Sequence, residues 1–342
     1  MATALVTGGG GFLGRYIVEQ LVERGDKARI LARREYSELS ALGVDCRQGD
    51  LRDANAVAAA IDGCDVVYHV AALAGVWGAR DDFFSINVNG TDNVIDACRR
   101  HRIPKLVYTS SPSVVFGMDS MEDADETTPY PNRYYAHYPE SKAEAERHLL
   151  KANGIDGVAT CSLRPHLIWG PRDTHIVPLI ADRAKQGKLV RIGDGTNRVD
   201  VTYVENAATA HLQAADALTV DGPVGGQAYF IGDSKPVNLW SWINQLLQTL
   251  ELPAVQRSIS YTTARRIGSI MEAAHTILPF LGEPSLTRFL AAQFATSHHF
   301  DHSKAARDFR YAPQVDNDEG MRRTAEWYRS ADLQAGDINS SG

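Results

Sequence analysis

The run Thr7-Gly8-Gly9-Gly10-Gly11-Phe12-Leu13-Gly14 constrains this chain more than any other stretch. A short apolar segment, Ala4-Leu5-Val6, ends just before it, and an amphipathic helical pattern, Phe12 to Glu23, begins within it. Three glycines at this spacing exceed what a chain reversal needs. Gly8 allows the tight turn, Gly11 lets the backbone approach a pyrophosphate, and Gly14 lets the helix lie against the sheet. Phe12 and Leu13 open that helix, whose unpaired N–H groups and positive dipole end face an anion. Strand, glycine turn and helix in this order open a nucleotide-binding βαβ unit.

Alternation continues downstream. Short apolar runs at Ala28–Leu31, Asp45–Arg47, Asp65–Val70, Lys105–Thr109 and Gly157–Leu163 are separated by helical patterns at Ala54–Ile61, Asp81–Arg100 and Tyr134–Lys151. This pattern predicts an α/β fold, a Rossmann-type doubly wound parallel sheet. Residues 1–165 form its nucleotide-binding core, with segments near 199–232 returning to it. Residues 166–330 are predicted to form mainly a smaller C-terminal substrate lobe, and 331–342 a disordered tail. Within the lobe, the stretch from Ile267 to Phe294 is rich in Ile, Leu, Phe and Ala and could bury a bulky apolar ligand.

Bulk properties exclude several classes. A formal charge of −7 without a basic run argues against nucleic-acid binding. Cys46, Cys64, Cys98 and Cys161 show neither disulfide nor metal-ligand spacing, which favours a reducing cytoplasm. Cys64 and Cys161 sit in apolar contexts and are expected in the core. No apolar run approaches the roughly 20 residues that span a bilayer, so at most a peripheral membrane contact is expected. Asp173, His175 and the cluster His298-His299-Phe300-Asp301-His302 lack metal-site spacing, and no metal is expected.

Cofactor choice turns on the end of the second strand, Leu31-Ala32-Arg33-Arg34-Glu35. An acidic residue there would select NAD(H) through the ribose hydroxyls. Ala32 stands near that position, and Arg33 and Arg34 suit a 2′-phosphate, so NADP(H) is favoured over NAD(H). Asp50 and Leu51 are placed beside the adenine. Ala71 and Ala72 follow the fourth strand, where small side chains let the backbone line the cofactor.

A proton-transfer set completes the reading. Lys105–Thr109 is a buried strand ending in Ser110-Ser111-Pro112, at the carboxyl edge where such sheets bind ligands. Tyr138 and Lys142 stand four residues apart on the next helix and share one face. A serine hydroxyl can hold a carbonyl oxygen, Tyr138 can move its proton, and a nearby ammonium would draw the phenol down from about 10.

With these residues in view, the chain resembles the extended short-chain dehydrogenase/reductase family, in its 3β-hydroxysteroid dehydrogenase and sterol-4-carboxylate 3-dehydrogenase branch. Thr7–Gly14, Asn87-Val88-Asn89-Gly90-Thr91, Tyr108–Phe116, Tyr138–Lys142, Leu163-Arg164-Pro165, Ile168-Trp169-Gly170-Pro171 and Tyr203–Ala208 carry the likeness. It implies Ser111, Tyr138 and Lys142 as the catalytic set, with Tyr138 and Lys142 also touching cofactor, and Arg164-Pro165 lining the nicotinamide side. The segments Ala74–Gly78, Gly193–Thr202 and Gly282–Leu290 are similar to bacterial members that reduce 2-alkyl-3-oxoalkanoic acids. The resemblance therefore implies NAD(P)H-dependent interconversion of a 3-oxo and a 3-hydroxy group on a lipid-like acid. A steroid or sterol-4-carboxylate is the second substrate class, and nucleotide-sugar epimerase or dehydratase chemistry the third. A homodimer through the helices near 81–100 and 134–151 is also implied. Arg164, Arg172, Arg198 and Arg288 are candidates for the substrate carboxylate.

Overall fold

In the computed structural model, residues 1–330 are described in full apart from the Pro279 side chain, and 331–340 by backbone alone. The disordered tail expected over 331–342 lies outside the fully described residues. In chain order the first half contains β1 (Thr3–Thr7), α1 (Phe12–Glu23), β2 (Lys27–Ala32), α2 (Ser37–Ala41), β3 (Asp45–Gln48), α3 (Ala54–Ile61) and β4 (Val66–His69). It continues with α4 (Arg80–Phe83), α5 (Gly90–His101), β5 (Lys105–Thr109), β6 (Met121–Ala124), α6 (His137–Lys151) and β7 (Ala159–Pro165). The second half contains β8 (Ile168–Trp169), α7 (Ile176–Lys185), β9 (Val190–Ile192), β10 (Arg198–Val199), β11 (Thr202–Tyr203), α8 (Val204–Ala217) and β12 (Gln227–Ile231). It closes with β13 (Val237–Asn238), α9 (Leu239–Thr249), β14 (Arg257–Ile259), α10 (Tyr261–Ile277), α11 (Arg288–Ala295), β15 (His298–Phe300), α12 (Ser303–Phe309) and α13 (Asn317–Ser340).

Seven strands make one parallel sheet in the order β12-β7-β5-β4-β1-β2-β3. The order reverses between β1 and β4, which places a ligand crevice at their carboxyl ends. Both faces of this sheet are covered by helices, so its inner strands are largely apolar, whereas the edge strand β3 is polar and half exposed. Leu5, Ile30, Val67 and Leu106 are fully buried. Cys64 and Cys161 are buried free thiols, as expected, and so is Cys98. β12 pairs with β7 from Gln227↔Cys161 to Ile231↔Pro165, so a late segment of the chain does return to the first sheet.

Beyond that edge the chain forms a four-stranded sheet, β13-β10-β15-β6, and two two-stranded ones. A second apolar core fills this region, built on Trp169, Trp240, Trp242, Ile243 and Leu246. β6 lies inside the polar insert after the Ser-rich strand end and was not foreseen as a strand. It is held by β15 through His298↔Met121 and Phe300↔Ala124.

Two helical boundaries differ from expectation. α6 starts at His137 rather than Tyr134, with Ala136 extended at φ −147°. Pro139 has no N–H to give, so it belongs in a first turn, and a helix from Tyr134 would have put it in the second. Between α4 and α5 a π-helical turn covers Phe84–Asn89.

Candidate active site

The glycine turn is built for close approach. Gly8 adopts φ +69°, and a Cβ there would lie 2.9 Å from the Cα of Ala71, across the crevice at the end of β4. A Cβ on Gly14 would lie 2.2 Å from the carbonyl oxygen of Gly8. Gly11 is the N-cap of α1 and supplies no side chain to its first amides, leaving them for a ligand anion. Phe12 is partly buried and Leu13 buried at the start of the helix. The Tyr36 ring covers Gly10 so closely that any side chain there would collide with it.

Arg33 and Arg34 are exposed beyond the end of β2, and neither makes an ion pair among the described residues. Asp50 is engaged by Arg52 at 2.7 Å, which holds its carboxyl down at about 2. Leu51 is buried and its carbonyl accepts from Asn93. Ala71 is partly buried and Ala72 exposed. The Ala71 amide is fixed by Thr7 Oγ1, which in turn touches the buried His69 imidazole at 2.7 Å. This cradle fits a dinucleotide: bare helix amides at the turn, close-packed glycines, and two uncompensated guanidinium groups beyond β2.

The hydroxyl set lies at the carboxyl end of β5. Ser110 is buried, its Oγ without a partner, while Ser111 is partly exposed. Ser111 Oγ accepts from the Ser113 amide at 3.2 Å and the Ser113 hydroxyl at 2.9 Å, so its own hydrogen is free to point outward. Burial pushes the Tyr138 phenol above its ordinary value, and the nearby Ser111 hydroxyl opposes that shift without cancelling it.

Lys142 corrects one expectation. Its ammonium does not draw the phenol down, because it is committed elsewhere. It donates to the Thr109 carbonyl at 2.6 Å and sits 4.0 Å from the centre of the Tyr108 ring. Burial lowers its pKa to about 7, opposed by Glu146 one turn further along α6. Glu146 was missed in the sequence although the spacing Tyr138, Lys142, Glu146 marks a single helix face. Its carboxylate is fully buried and accepts from Arg164 at 2.6 Å, Ser162 at 2.7 Å and Tyr130 at 2.7 Å. Burial raises its pKa, but Arg164 and these donors more than reverse the effect, leaving it below the usual carboxylate value. Arg164 is thus 3% exposed and occupied by Glu146, with Nη1 unpartnered, and Pro165 closes β7 beside it.

Asn87 opens one of the stretches that carry the family likeness, and the structure shows what its side chain holds. Its side chain bonds both backbone groups of Leu73, at 2.7 and 3.0 Å, and the Ser141 hydroxyl at 3.0 Å. Ser141 donates to the carbonyl of Tyr138. The π turn that carries Asn87 therefore ties the loop after β4 to the turn that carries the phenol, and such turns recur at functional sites.

Downstream of Ser111, Phe116 and Met118 pack with Phe289 and Ala292 into a buried apolar cluster, with Val76, Tyr135 and Tyr261 against it. Phe116 and Phe289 meet edge to face at 5.9 Å. The apolar lobe residues divide: Phe289 is buried in this cluster, whereas Ile277, Leu278, Phe280 and Leu281 are exposed. The histidine cluster serves as internal bracing, His166 meeting His298 at 2.5 Å and His302 meeting Asp200 at 3.1 Å.

The sequence matches the 3-beta hydroxysteroid dehydrogenase/isomerase family over residues 5–260. It is 48% identical to the 2-alkyl-3-oxoalkanoate reductase of Stenotrophomonas maltophilia over 93% of this chain and 97% of that one. It is 44% identical to the protein of the same name from Shewanella oneidensis, over 94% of this chain and 84% of that one. Among solved structures, gox2253 superposes with TM-score 0.79 and 25% identity, covering 97% of this chain and 99% of that one. The Bordetella bronchiseptica enzyme WbmH in complex with NAD+ gives 0.73 and 20%, covering 96% and 99%.

Proposed function

The chain belongs to the 3-beta hydroxysteroid dehydrogenase/isomerase family and is a nicotinamide-dependent oxidoreductase of CH–OH groups, and from that premise we propose that it reduces a 2-alkyl-3-oxoalkanoic acid to the 3-hydroxy acid, with NADPH preferred. The observation that carries this reading is that the Ser111 hydroxyl acts on the Tyr138 phenol while Tyr135, three residues earlier, packs on the apolar cluster of Phe116, Met118 and Phe289, which we assign as the wall of a substrate chamber. A carbonyl oxygen placed between the two hydroxyls would accept from both. Ser111 is held by Ser113 with its hydrogen outward and so orients the carbonyl. Tyr138, whose raised pKa keeps it protonated at neutral pH, gives its proton to that oxygen as negative charge develops there. A reduced nicotinamide bound in the crevice would supply the hydride to the carbonyl carbon. Lys142 fixes the carboxyl end of β5 through Thr109 and presents positive charge beneath the site. The alkyl branch would lie in the chamber, where burial of each CH₂ is worth about 0.8 kcal/mol.

The preference for NADPH rests on Ala32, Arg33 and Arg34: a 2′-phosphate would find two guanidinium groups without ion-pair partners among the described residues, and Ala32 where an NAD-selecting carboxylate would stand. A homodimer through α5 and α6 fits the same family reading. The enzyme would also meet its substrate at a lipid surface. Six of the ten large apolar side chains that are exposed among the described residues fall between Ile267 and Leu281. The exposed Arg265 and Arg266 lie beside them, and Trp77, next to Val76 of the chamber, packs on His275 of the same helix.

The direct test is oxidation of NADPH, with NADH in parallel, against a 2-alkyl-3-oxo acid and a 3-oxosteroid. Turnover of the branched acid with NADPH supports the proposal. Turnover of the steroid alone would replace the substrate, and an Arg33→Ala variant with unchanged cofactor preference would remove the argument for NADPH.

A further inference from the structure

An acid substrate needs a cation, and the structure narrows the choice. Arg164 is buried against Glu146. Arg172 is held by both carboxylate oxygens of Glu19, at 2.7 and 2.9 Å. Arg198, on β10, donates to the Pro236 carbonyl. Of the four arginines considered from sequence, only Arg288 stands at the chamber: it is the first residue of α11 and the neighbour of Phe289.

Arg288 is pre-oriented without being used up. Glu272 accepts from its backbone amide at 2.7 Å and from Nε at 2.6 Å. That arrangement leaves the two terminal nitrogens of the guanidinium to another acceptor. The group lies 5.8 Å from the centre of the Tyr135 ring. A second guanidinium, that of Arg133, lies 5.2 Å from the same ring. Arg133 is exposed and makes no ion pair among the described residues. Two guanidinium groups therefore stand around one phenol, and of the two only Arg288 is paired with a carboxylate, that of Glu272, among the described residues.

Their location matters as much as their charge. Tyr135 packs against the wall formed by Phe116, Met118 and Phe289. It also precedes Tyr138 by three residues, so their Cα atoms are separated by at most about 10 Å. In a 3-oxo acid the carboxylate is one carbon removed from the reacting carbonyl, and a 2-alkyl branch leaves from the carbon between them. Such a substrate needs, around one point, hydroxyls for the carbonyl, a cationic edge for the carboxylate and an apolar chamber for the branch. Tyr135 is where the cationic edge and the chamber meet.

We infer that Arg133 and Arg288, gathered around Tyr135, form the recognition site for the carboxylate of an amphiphilic acid. This deepens the substrate reading above and rests on it. The two arginines are specificity-determining residues and take no part in proton transfer. Bidentate, charge-assisted hydrogen bonds from Arg288 give the direction of the carboxylate, and Arg133 adds charge from the solvent side.

The test uses the chemically stable direction, oxidation of a 2-alkyl-3-hydroxy acid with NADP+, beside the methyl ester of the same acid. The variants are Arg133→Gln, Arg288→Gln paired with Glu272→Gln so that no carboxylate is left unpaired, and all three together. The triple variant is expected to raise KM for the acid about 10- to 100-fold while KM and kcat for the ester stay within about threefold. Arg133→Gln removes an exposed group with no ion-pair partner and keeps the experiment informative should the Glu272 variants fold poorly. It is expected to raise KM for the acid alone, by a few-fold. Parallel losses on acid and ester, or an acid KM unmoved by Arg133→Gln, would overturn the assignment while leaving the reductase reading intact. A wild-type enzyme inactive on both compounds would overturn the reductase reading and the arginine site with it.

Discussion

Tyr138→Phe removes one oxygen from a chain of 342 residues, and it should remove nearly all turnover. Loss of a positioned acid costs about 10²- to 10⁴-fold in kcat, while NADPH binding, followed by fluorescence titration, should stay within about threefold. Retention of more than a tenth of wild-type kcat would reassign the proton donor. Lys142→Met should instead separate stability from activity. The amine has a folded pKa of about 7 against about 10.4 unfolded. Folding therefore expels a proton between those values. The cost is complete below pH 7, declines through the window, and is absent above about 10.4. The variant should lose activity yet melt a few degrees higher at pH 6.5, with the gain fading by pH 10, as differential scanning calorimetry would show. At this scale the sequence was legible where placement depends on spacing: Tyr138 and Lys142 do stand four apart on one helix, α6. It was not legible where a partner comes from elsewhere in the chain. The acidity of Tyr138 depends on whether Lys142 faces it, and Thr109 settles that.

Among the elements, α6 carries the most. One face presents Tyr138, Lys142 and Glu146 in successive turns, and its last member is fixed by Arg164 from β7. Both ends of that pair are buried, so Glu146→Ala should leave an uncompensated guanidinium and cost about 3–5 kcal/mol, measurable by urea denaturation. Replacing both partners, Glu146→Leu with Arg164→Met, should recover most of the loss. A cost below about 1 kcal/mol for the single change would show that solvent reaches Arg164. Elements with strong periodicity were legible: Phe12–Glu23, Ala54–Ile61 and Lys105–Thr109 stand where the pattern places them. β6 was not, because Met121-Glu122-Asp123-Ala124 has no alternation of its own and becomes a strand only by pairing with β15. The π turn at Phe84–Asn89 was hidden for a related reason, since its helical composition gives no sign of the extra residue.

For the molecule as a whole, the apolar surface of α10 is the feature that a water-soluble core does not explain. Ile277, the last residue of α10, is 76% exposed and Phe280, in the turn after it, 81%; the exposed Arg265 and Arg266 lie in the first turns of the same helix. Such a face suits an anionic lipid surface. Phe280→Ser with Ile277→Ser should abolish co-sedimentation with phosphatidylglycerol vesicles and leave kcat on a short-chain, water-soluble 3-oxo acid unchanged. Equal sedimentation of variant and wild type would point instead to a face that another protein surface covers. The sequence showed an apolar lobe here but not its division, because periodicity cannot tell a residue that faces a chamber from one that faces water. Phe289 and Phe280 differ in that respect alone.

The union of β6 with β15, whose flanking residues Ser120 and Ser297 are bonded 177 positions apart, also orders events in time. Synthesis at about 5–20 residues per second completes the glycine turn, the Ser-rich strand end and α6 well before the segment 288–300 exists. For on the order of ten seconds, Phe116 and Met118 of a nascent chain lack the Phe289 side chain that later packs on them. Throughout that interval they are apolar surface that the rest of the polypeptide has yet to cover.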